Sequence, residues 1–289
     1  MAVMEGNPDI NALFSYTKAK HLKQGESRIT ILWDRIMTIL KLRSQRLDWI
    51  LLPGGPQPSS LRFAKWIGSK RLLVRDQEDV KAGPHQVEQC CHQLVRMGLR
   101  FESPAARVSA DPVIAARISA GLPQDWNRRG GPVIALHISS RKPSQRWPSD
   151  RFAAVARVLH GAEGACFILL CSPGALDHSD HPGDDVKARE VLEGSEGMPI
   201  HFISTDRLED LVAAISLCDS IICSDGGAMH VAAALGKPVV SLFGDSDPEH
   251  WGPWKVPHTV LQKPGRNVSE ISAAEVAEAY QILMGVRPA

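Results

Sequence analysis

Residues 220–243, SIICSDGGAMHVAAALGKPVVSLF, constrain the fold more than any other stretch of this chain. An apolar run, Ser220-Ile221-Ile222-Cys223, stops abruptly at Ser224-Asp225-Gly226-Gly227. A small-residue helical segment follows, then Gly236, Lys237 and Pro238, then a second apolar run from Val239 to Phe243. Strand, glycine turn, helix and strand in this order make a parallel crossover unit. The same alternation recurs. Short β-rich runs lie at Trp49–Leu52, Arg71–Val74, Val133–Leu136 and Cys166–Leu170. Between them, Phe152, Val155, Ala156 and Leu159 share one helical face, and so do Leu211, Val212, Ile215 and Cys218. Strands alternating with helices imply parallel sheets covered on both faces, so the chain is expected to be α/β.

At 289 residues there is room for two domains. The glycine-, proline- and polar-rich stretch 121–132, ahead of a fresh strand, suggests the boundary. The expected division is a domain over 1–125, a second over 131–268, and a C-terminal helix within 269–289 able to pack on either. A formal net charge of +1 argues against a nucleic-acid partner. No run reaches the roughly 18 apolar residues a transmembrane helix needs. The N-terminus lacks the basic and apolar regions of a signal peptide, so a cytoplasmic protein is expected. Cys166, Cys171, Cys218 and Cys223 lie in or beside apolar runs and read as buried free thiols. The adjacent pair Cys90-Cys91 suits neither a zinc site nor a redox pair.

Three clusters carry candidate chemistry. In an open α/β sheet, ligands bind beyond the carboxyl ends of strands, and Ser224 to His230 lies at such an end. Without a Cβ, Gly226 and Gly227 let a ligand approach the backbone. The first helical turn after them, through Ala228, Met229 and His230, offers unpaired N–H groups and the positive end of a helix dipole, an anion site suited to phosphate. Asp225 would face ligand hydroxyls, or else simply cap the helix in a tight connection. The second cluster follows the Val133 strand: Ser139, Ser140, Arg141, Lys142, Ser144, Gln145 and Arg146 combine hydroxyls and cations as a diphosphate requires. A solvated loop is the plainer reading, with Trp147 as core packing. The third is Gly244 to Trp254, where Asp245-Ser246-Asp247 resembles a metal-binding pair. Asp247 before Pro248 reads more simply as a helix cap with proline in the first turn.

These pieces, HISSRKPSQRWPSDRFAAVARVL (137–159), CSDGGAMHVAAALGKPVVSLFGDSDPEHWGPW (223–254) and, more weakly, EGNPDI (5–10), together resemble the ADP-heptose:lipopolysaccharide heptosyltransferase family of glycosyltransferases. In the first domain, LDWILLPGG and AKWIGSKRLLV fit the family as well. The resemblance implies a GT-B architecture: two Rossmann-like domains with mainly parallel sheets, the donor held by the second. It implies an inverting, metal-independent sugar transfer from an ADP-sugar to a lipopolysaccharide core or other lipid-linked acceptor, with no cofactor. Carried over, Ser139 and Ser140 stand at the phosphates. Asp225, Gly227 and His230 match an Asp-x-Gly-x-x-His motif that holds the pyrophosphate and donor sugar.

Departures from the family pattern are specific. Gln145 stands where many relatives carry a phosphate-binding lysine, with Arg146 or Lys142 as substitutes. Gly226 replaces a hydroxyl residue. Ala175 stands where relatives place a glutamate on the nucleotide ribose, with Asp177, Asp184 or Asp185 as stand-ins. His178 and His181 read as part of a solvated loop rather than a metal site. The family's opening strand and Gly-Asp turn, whose aspartate is its presumed base, have no counterpart here, so no catalytic residue is assigned. The first domain is accordingly expected to be N-terminally truncated, by a misassigned start or by true loss; a non-catalytic nucleotide-sugar-binding relative is the alternative function. A dinucleotide oxidoreductase is disfavoured because the chain has no Gly-x-Gly-x-x-Gly. Finally, Arg28–Asp48 reads as a helix with Ile29, Leu32, Ile36, Ile39 and Leu40 apolar and Arg28, Arg35, Lys41, Arg43 and Arg46 basic. Following Lys18, Lys20 and Lys23, it suits either an anionic membrane surface (the cytoplasmic face of the inner membrane) or an ordinary covered helix.

Overall fold

A computed structural model describes residues 3–15, 28–123, 126, 130–176 and 182–285, with the side chain of Arg28 outside that description. The chain divides into two compact units, Asp9–Pro104 and Ala105–Ala289, the second also taking in Ala2–Pro8.

The first unit runs α1 (Arg28–Ser44), β1 (Trp49–Leu52), α2 (Pro58–Ile67), β2 (Arg71–Val74), α3 (Gln77–Lys81), α4 (Gln86–Cys91) and α5 (Gln93–Arg96). β1 and β2 pair in parallel, Trp49 opposite Arg71 and Leu52 opposite Val74. Two of the basic residues of α1 are used internally. The Arg35 guanidinium lies 5.7 Å from the ring centre of Phe63 and 5.2 Å from that of Trp66, and Arg43 donates to the Trp66 carbonyl at 3.1 Å. These contacts fasten α1 to α2. They leave outward a stripe of Ile29, Leu32, Trp33, Ile36, Met37 and Leu40, all exposed. Among the described residues, then, this face of the helix is exposed, not covered as its pattern also allowed. Lys18, Lys20 and Lys23 lie outside the described residues.

The second unit is built as α6 (Pro112–Gly121), β3 (Val133–His137), α7 (Ser149–Glu163), β4 (Cys166–Cys171), α8 (Asp185–Gly194), β5 (Ile200–Ser204), α9 (Leu208–Ser216), β6 (Ser220–Ser224), α10 (Gly227–Ala234), β7 (Val239–Phe243), α11 (Pro248–Trp251), β8 (His258–Gln262) and α12 (Ala273–Leu283). Among the described residues its six strands are all parallel, in the order β5-β4-β3-β6-β7-β8. Alternate residues of each strand enter opposite cores. Ile134, Leu136, Phe167, Leu169, Val240 and Leu242 meet Phe152, Val155, Leu159, Val191, Val276 and Tyr280 from α7, α8 and α12. Ala135, Ile168, Leu170, Ile221, Cys223 and Phe243 meet α6, α9 and α10 on the other face.

The boundary falls before α6 rather than after it. Ile118 of α6 is buried in the same core as Met229 and Ile215, and the Val108 N–H donates to the Ala234 carbonyl at 3.2 Å. The polar stretch 121–132 is thus a connection inside the second unit. Nor is the C-terminal helix a separate piece: Val276, Ala277 and Tyr280 of α12 are buried in that unit's core. As expected, Cys166, Cys171, Cys218 and Cys223 are buried thiols outside any disulfide.

Candidate functional site

The chain lays β3, β4 and β5 outward in one direction, then returns to build β6, β7 and β8 in the other. The reversal lies between β3 and β6, where His137 stands opposite Cys223. The loops at this switch point diverge, and a crevice opens beyond the strand ends. The first two sequence clusters are these two loops.

After β6 the chain turns directly into α10. Gly226 is its N-cap, no side chain caps the helix, and the backbone at Gly226 is extended. Neither glycine lies in the left-handed region that only glycine adopts readily. A Cβ at Gly227 would meet nothing within 4 Å, and one at Gly226 only the Ser224 carbonyl at 4.0 Å. Both positions are exposed. The fold itself therefore does not demand glycine here; bare backbone is left facing open space at a helix N-terminus. Ala228 and Met229 are 3% and 0% exposed, their side chains in the core, so only their backbone groups belong to the crevice. His230 is exposed in the same first turn. Asp225 does not cap the helix. Its carboxylate accepts from Gln145 Nε2 at 2.7 Å.

In the β3 loop, Ser139 Oγ accepts the Ser172 N–H at 2.7 Å, which ties the β3 and β4 loops together. Ser140 Oγ donates to Gln145 Oε1 at 3.2 Å. Lys142 is half exposed at the rim, 3.2 Å from Asp245 and 3.5 Å from Ser246 Oγ. Arg146 is turned inward: it donates to the Ser140 carbonyl at 2.8 Å and is ion-paired with the buried Asp184. Of the two cations expected to replace a lysine at position 145, Lys142 is thus the one at the rim. Trp147 is core, 1% exposed, with its Nε1 donating to the Ile271 carbonyl at 2.8 Å.

The β7 loop closes the third side. A Cβ on Gly244 would lie 2.4 Å from the Ser144 carbonyl, so here glycine is needed for two backbones to touch. Gln262 Nε2 holds the loop from below, at 2.7 Å from the Gly244 carbonyl and 2.9 Å from that of Ser246. Asp247 caps α11, accepting the Glu249 N–H at 3.0 Å with Pro248 in the first turn, as its sequence suggests. Asp245 is matched by Lys142 and Ser144, which hold its carboxyl below the usual range.

A polar layer, buried at Asp184 and partly buried at His137 and Lys187, lies behind the β3 loop. Asp184, 1% exposed, is held by its ion pair with Arg146. Ala175 and Asp185 are exposed, and Asp177, His178 and His181 lie outside the described residues. Lys187 donates to the Ile138 carbonyl at 2.8 Å; burial lowers its pKa to about 8, against the pull of Asp184. Burial, and then Lys187, lower the His137 pKa to about 4, so the ring is neutral at neutral pH. Local sequence does not reveal the roles of His137, Lys187 or Ser246, because each acts through a partner distant along the chain. A separate cavity of about 410 Å³ is lined by Glu5, Gly6, Ser109, Asp111, Glu209 and Val212. Its three carboxylates make it a poor anion site, and it holds no residue of the glycine turn or of the serine-basic loop.

Comparison with known proteins agrees with this geometry. The sequence profile of glycosyltransferase family 9 (heptosyltransferase) matches residues 64–280. The lipopolysaccharide heptosyltransferase 2 of Salmonella typhimurium is 35% identical over 111 residues, 38% of this chain and 30% of that protein. The chain's matches span 30% to 40% of the length of that relative and of its counterparts in Escherichia coli and Haemophilus influenzae. A crystal structure of a family 9 glycosyl transferase from Veillonella parvula superposes with a TM-score of 0.76 at 22% identity, over 98% of this chain and 85% of that one. The E. coli heptosyltransferase WaaC with ADP superposes with a TM-score of 0.64 at 18% identity, over 89% and 79%. The α/β character with parallel sheets, as expected of a GT-B glycosyltransferase, is present in both units. Profile, relatives and fold agree: the chain belongs to glycosyltransferase family 9, the heptosyltransferases.

Proposed function

We propose that this chain is a glycosyltransferase that moves a heptose or similar sugar from an ADP-sugar to a lipopolysaccharide-core or other lipid-linked acceptor, with inversion and without a catalytic metal. The observation that carries the reading is the pair Gly226-Gly227, exposed and sterically free, at the uncapped start of α10 and at the switch point of the sheet. Breaking the anomeric C–O bond develops positive charge on the sugar and negative charge on the departing diphosphate. Preorganised N–H groups of Gly227, Ala228 and Met229, aided by the helix dipole, stabilise that charge as it forms. Ser139, Ser140 and Lys142 lie on the facing loop, and His230 supplies a further hydrogen bond. Arg146 acts through the loop it braces. Asp225 and His230 hold the donor's hydroxyls and pyrophosphate.

The acceptor end of the proposal is a lipid-linked glycan met at the cytoplasmic face of a membrane. Its support is the exposed stripe of α1, where Trp33 sits among aliphatic residues in the manner of an interfacial helix. The test is a transfer assay with ADP-heptose and a lipopolysaccharide-core acceptor, in chelator, with the product's anomeric configuration read by NMR. An inverted product formed in chelator is expected. Donor bound without turnover is the result a non-catalytic relative gives. Failure to bind ADP or ADP-heptose at millimolar concentration would overturn the reading.

A further inference from the structure

Three loops of the second unit meet at one side chain. Gln145 Nε2 donates to Asp225 Oδ2 at 2.7 Å and to Ser246 Oγ at 2.9 Å, while its Oε1 accepts from Ser140 Oγ at 3.2 Å. The residue is 6% exposed and ends the short 3₁₀ turn Pro143–Gln145. Its partners come from the loops after β3, β6 and β7. These bonds fix the carboxamide's orientation, since an ionised carboxylate accepts only from the NH₂ end.

The consequence lies one residue further on. Asp225 directly precedes Gly226, the N-cap of α10, and α10 has no side-chain cap. A carboxylate at the start of a helix ordinarily turns onto the first N–H groups, because capping satisfies them and the dipole favours the charge. Asp225 stands one residue before that N-cap, and its carboxylate is held by Gln145. A capping carboxylate would occupy the N–H groups an anionic ligand needs and place a negative charge against it.

We propose that Gln145 is the positioning residue of this site: it holds Asp225 off the start of α10 and so keeps that helix end open for the diphosphate. The proposal rests on the reading of the crevice as a nucleoside-diphosphate site. Once Gln145 is lost, Asp225 is free to cap α10, and the protein competes with its own ligand.

The test is calorimetric titration of ADP into the full chain and its variants, with melting temperatures measured in parallel. Gln145→Met keeps the shape and removes both donors. It is expected to weaken ADP binding about tenfold; the lost bonds to Ser140 and Ser246 lower the melting temperature, and the new cap offsets part of that fall. Asp225→Ala in the Gln145→Met background is expected to restore most of the lost affinity, since ADP carries no donor sugar and the competing carboxylate is gone. A merely structural role for Gln145 predicts no such recovery. Gln145→Lys retains a donor to Asp225 and is expected to bind ADP at least as tightly as the wild type, which keeps the test open if the methionine variant fails to fold. Unchanged binding by Gln145→Met, absence of recovery in the double variant, or weak binding by Gln145→Lys would each overturn the clamp. A wild-type chain that does not bind ADP overturns the nucleotide reading itself, and is distinguished from these by the first titration.

Discussion

Gly227→Ala separates a glycine kept for folding from one kept for a ligand, because the two reasons give opposite changes in stability. The backbone at Gly227 is helical with no positive φ, and a Cβ there meets nothing within 4 Å. Alanine at such a position stabilises a protein by about 0.4–1 kcal/mol, chiefly by restricting the unfolded chain. For a unit of this size that raises the melting temperature by roughly 1–4 °C. The same methyl fills the space in which a phosphate would approach the α10 N–H groups. Losing one charge-assisted hydrogen bond, about 1.5–3 kcal/mol, weakens binding roughly tenfold to hundredfold. Differential scanning calorimetry and ADP titration on the same preparation read both effects. A lower melting temperature would show that the turn needs glycine after all. A higher one with unchanged ADP affinity would show that nothing binds over it.

Other perturbations test neighbouring parts of the argument. Asp245→Asn frees Lys142 from its rim partner and is expected to tighten ADP binding severalfold at low salt, while Lys142→Ala weakens it; the difference should shrink as salt screens the charges. The folded-state pKa of His137, about 4, lies below its ordinary value of 6.5, so the unfolded chain binds more protons between those limits. Stability is therefore expected to fall as pH drops from about 6.5 to about 4. His137→Phe should flatten that limb in urea titrations at successive pH values. Ser272 and Glu275 form a capping box at the start of α12, with Lys263 also paired to Glu275. Ser272→Ala is expected to cost about 1 kcal/mol, read as a lowered denaturant midpoint with unchanged slope.

The inner strands were legible in the sequence because they are buried on both faces and read as unbroken apolar runs: Val133–Leu136, Cys166–Leu170, Ile221–Cys223 and Val239–Phe243. The outermost strands, β5 and β8, were not. Each is only partly buried, and each carries a histidine and other polar residues that interrupt the run. The boundary was misplaced because a polar, glycine-rich stretch marks any exposed connection, including one inside a unit. Within the site, the glycine turn and serine-basic loop could be found from local composition and strand-end position. The inward turn of Arg146 and the convergence on Gln145 could not, because their partners Asp184, Asp225 and Ser246 are brought near only by the sheet's topology.

The central claim is that a nucleoside diphosphate binds at the β3–β6 switch point of the second unit. Its most direct test is to titrate ADP into ¹⁵N-labelled protein and map the perturbed backbone amides. The account expects the largest shifts at Ser139–Lys142, at Gly226–His230 and at Gly244–Ser246, with little change at Glu5, Asp111 or Glu209. Shifts centred on that acidic cavity, or no saturable shifts at all, would contradict it.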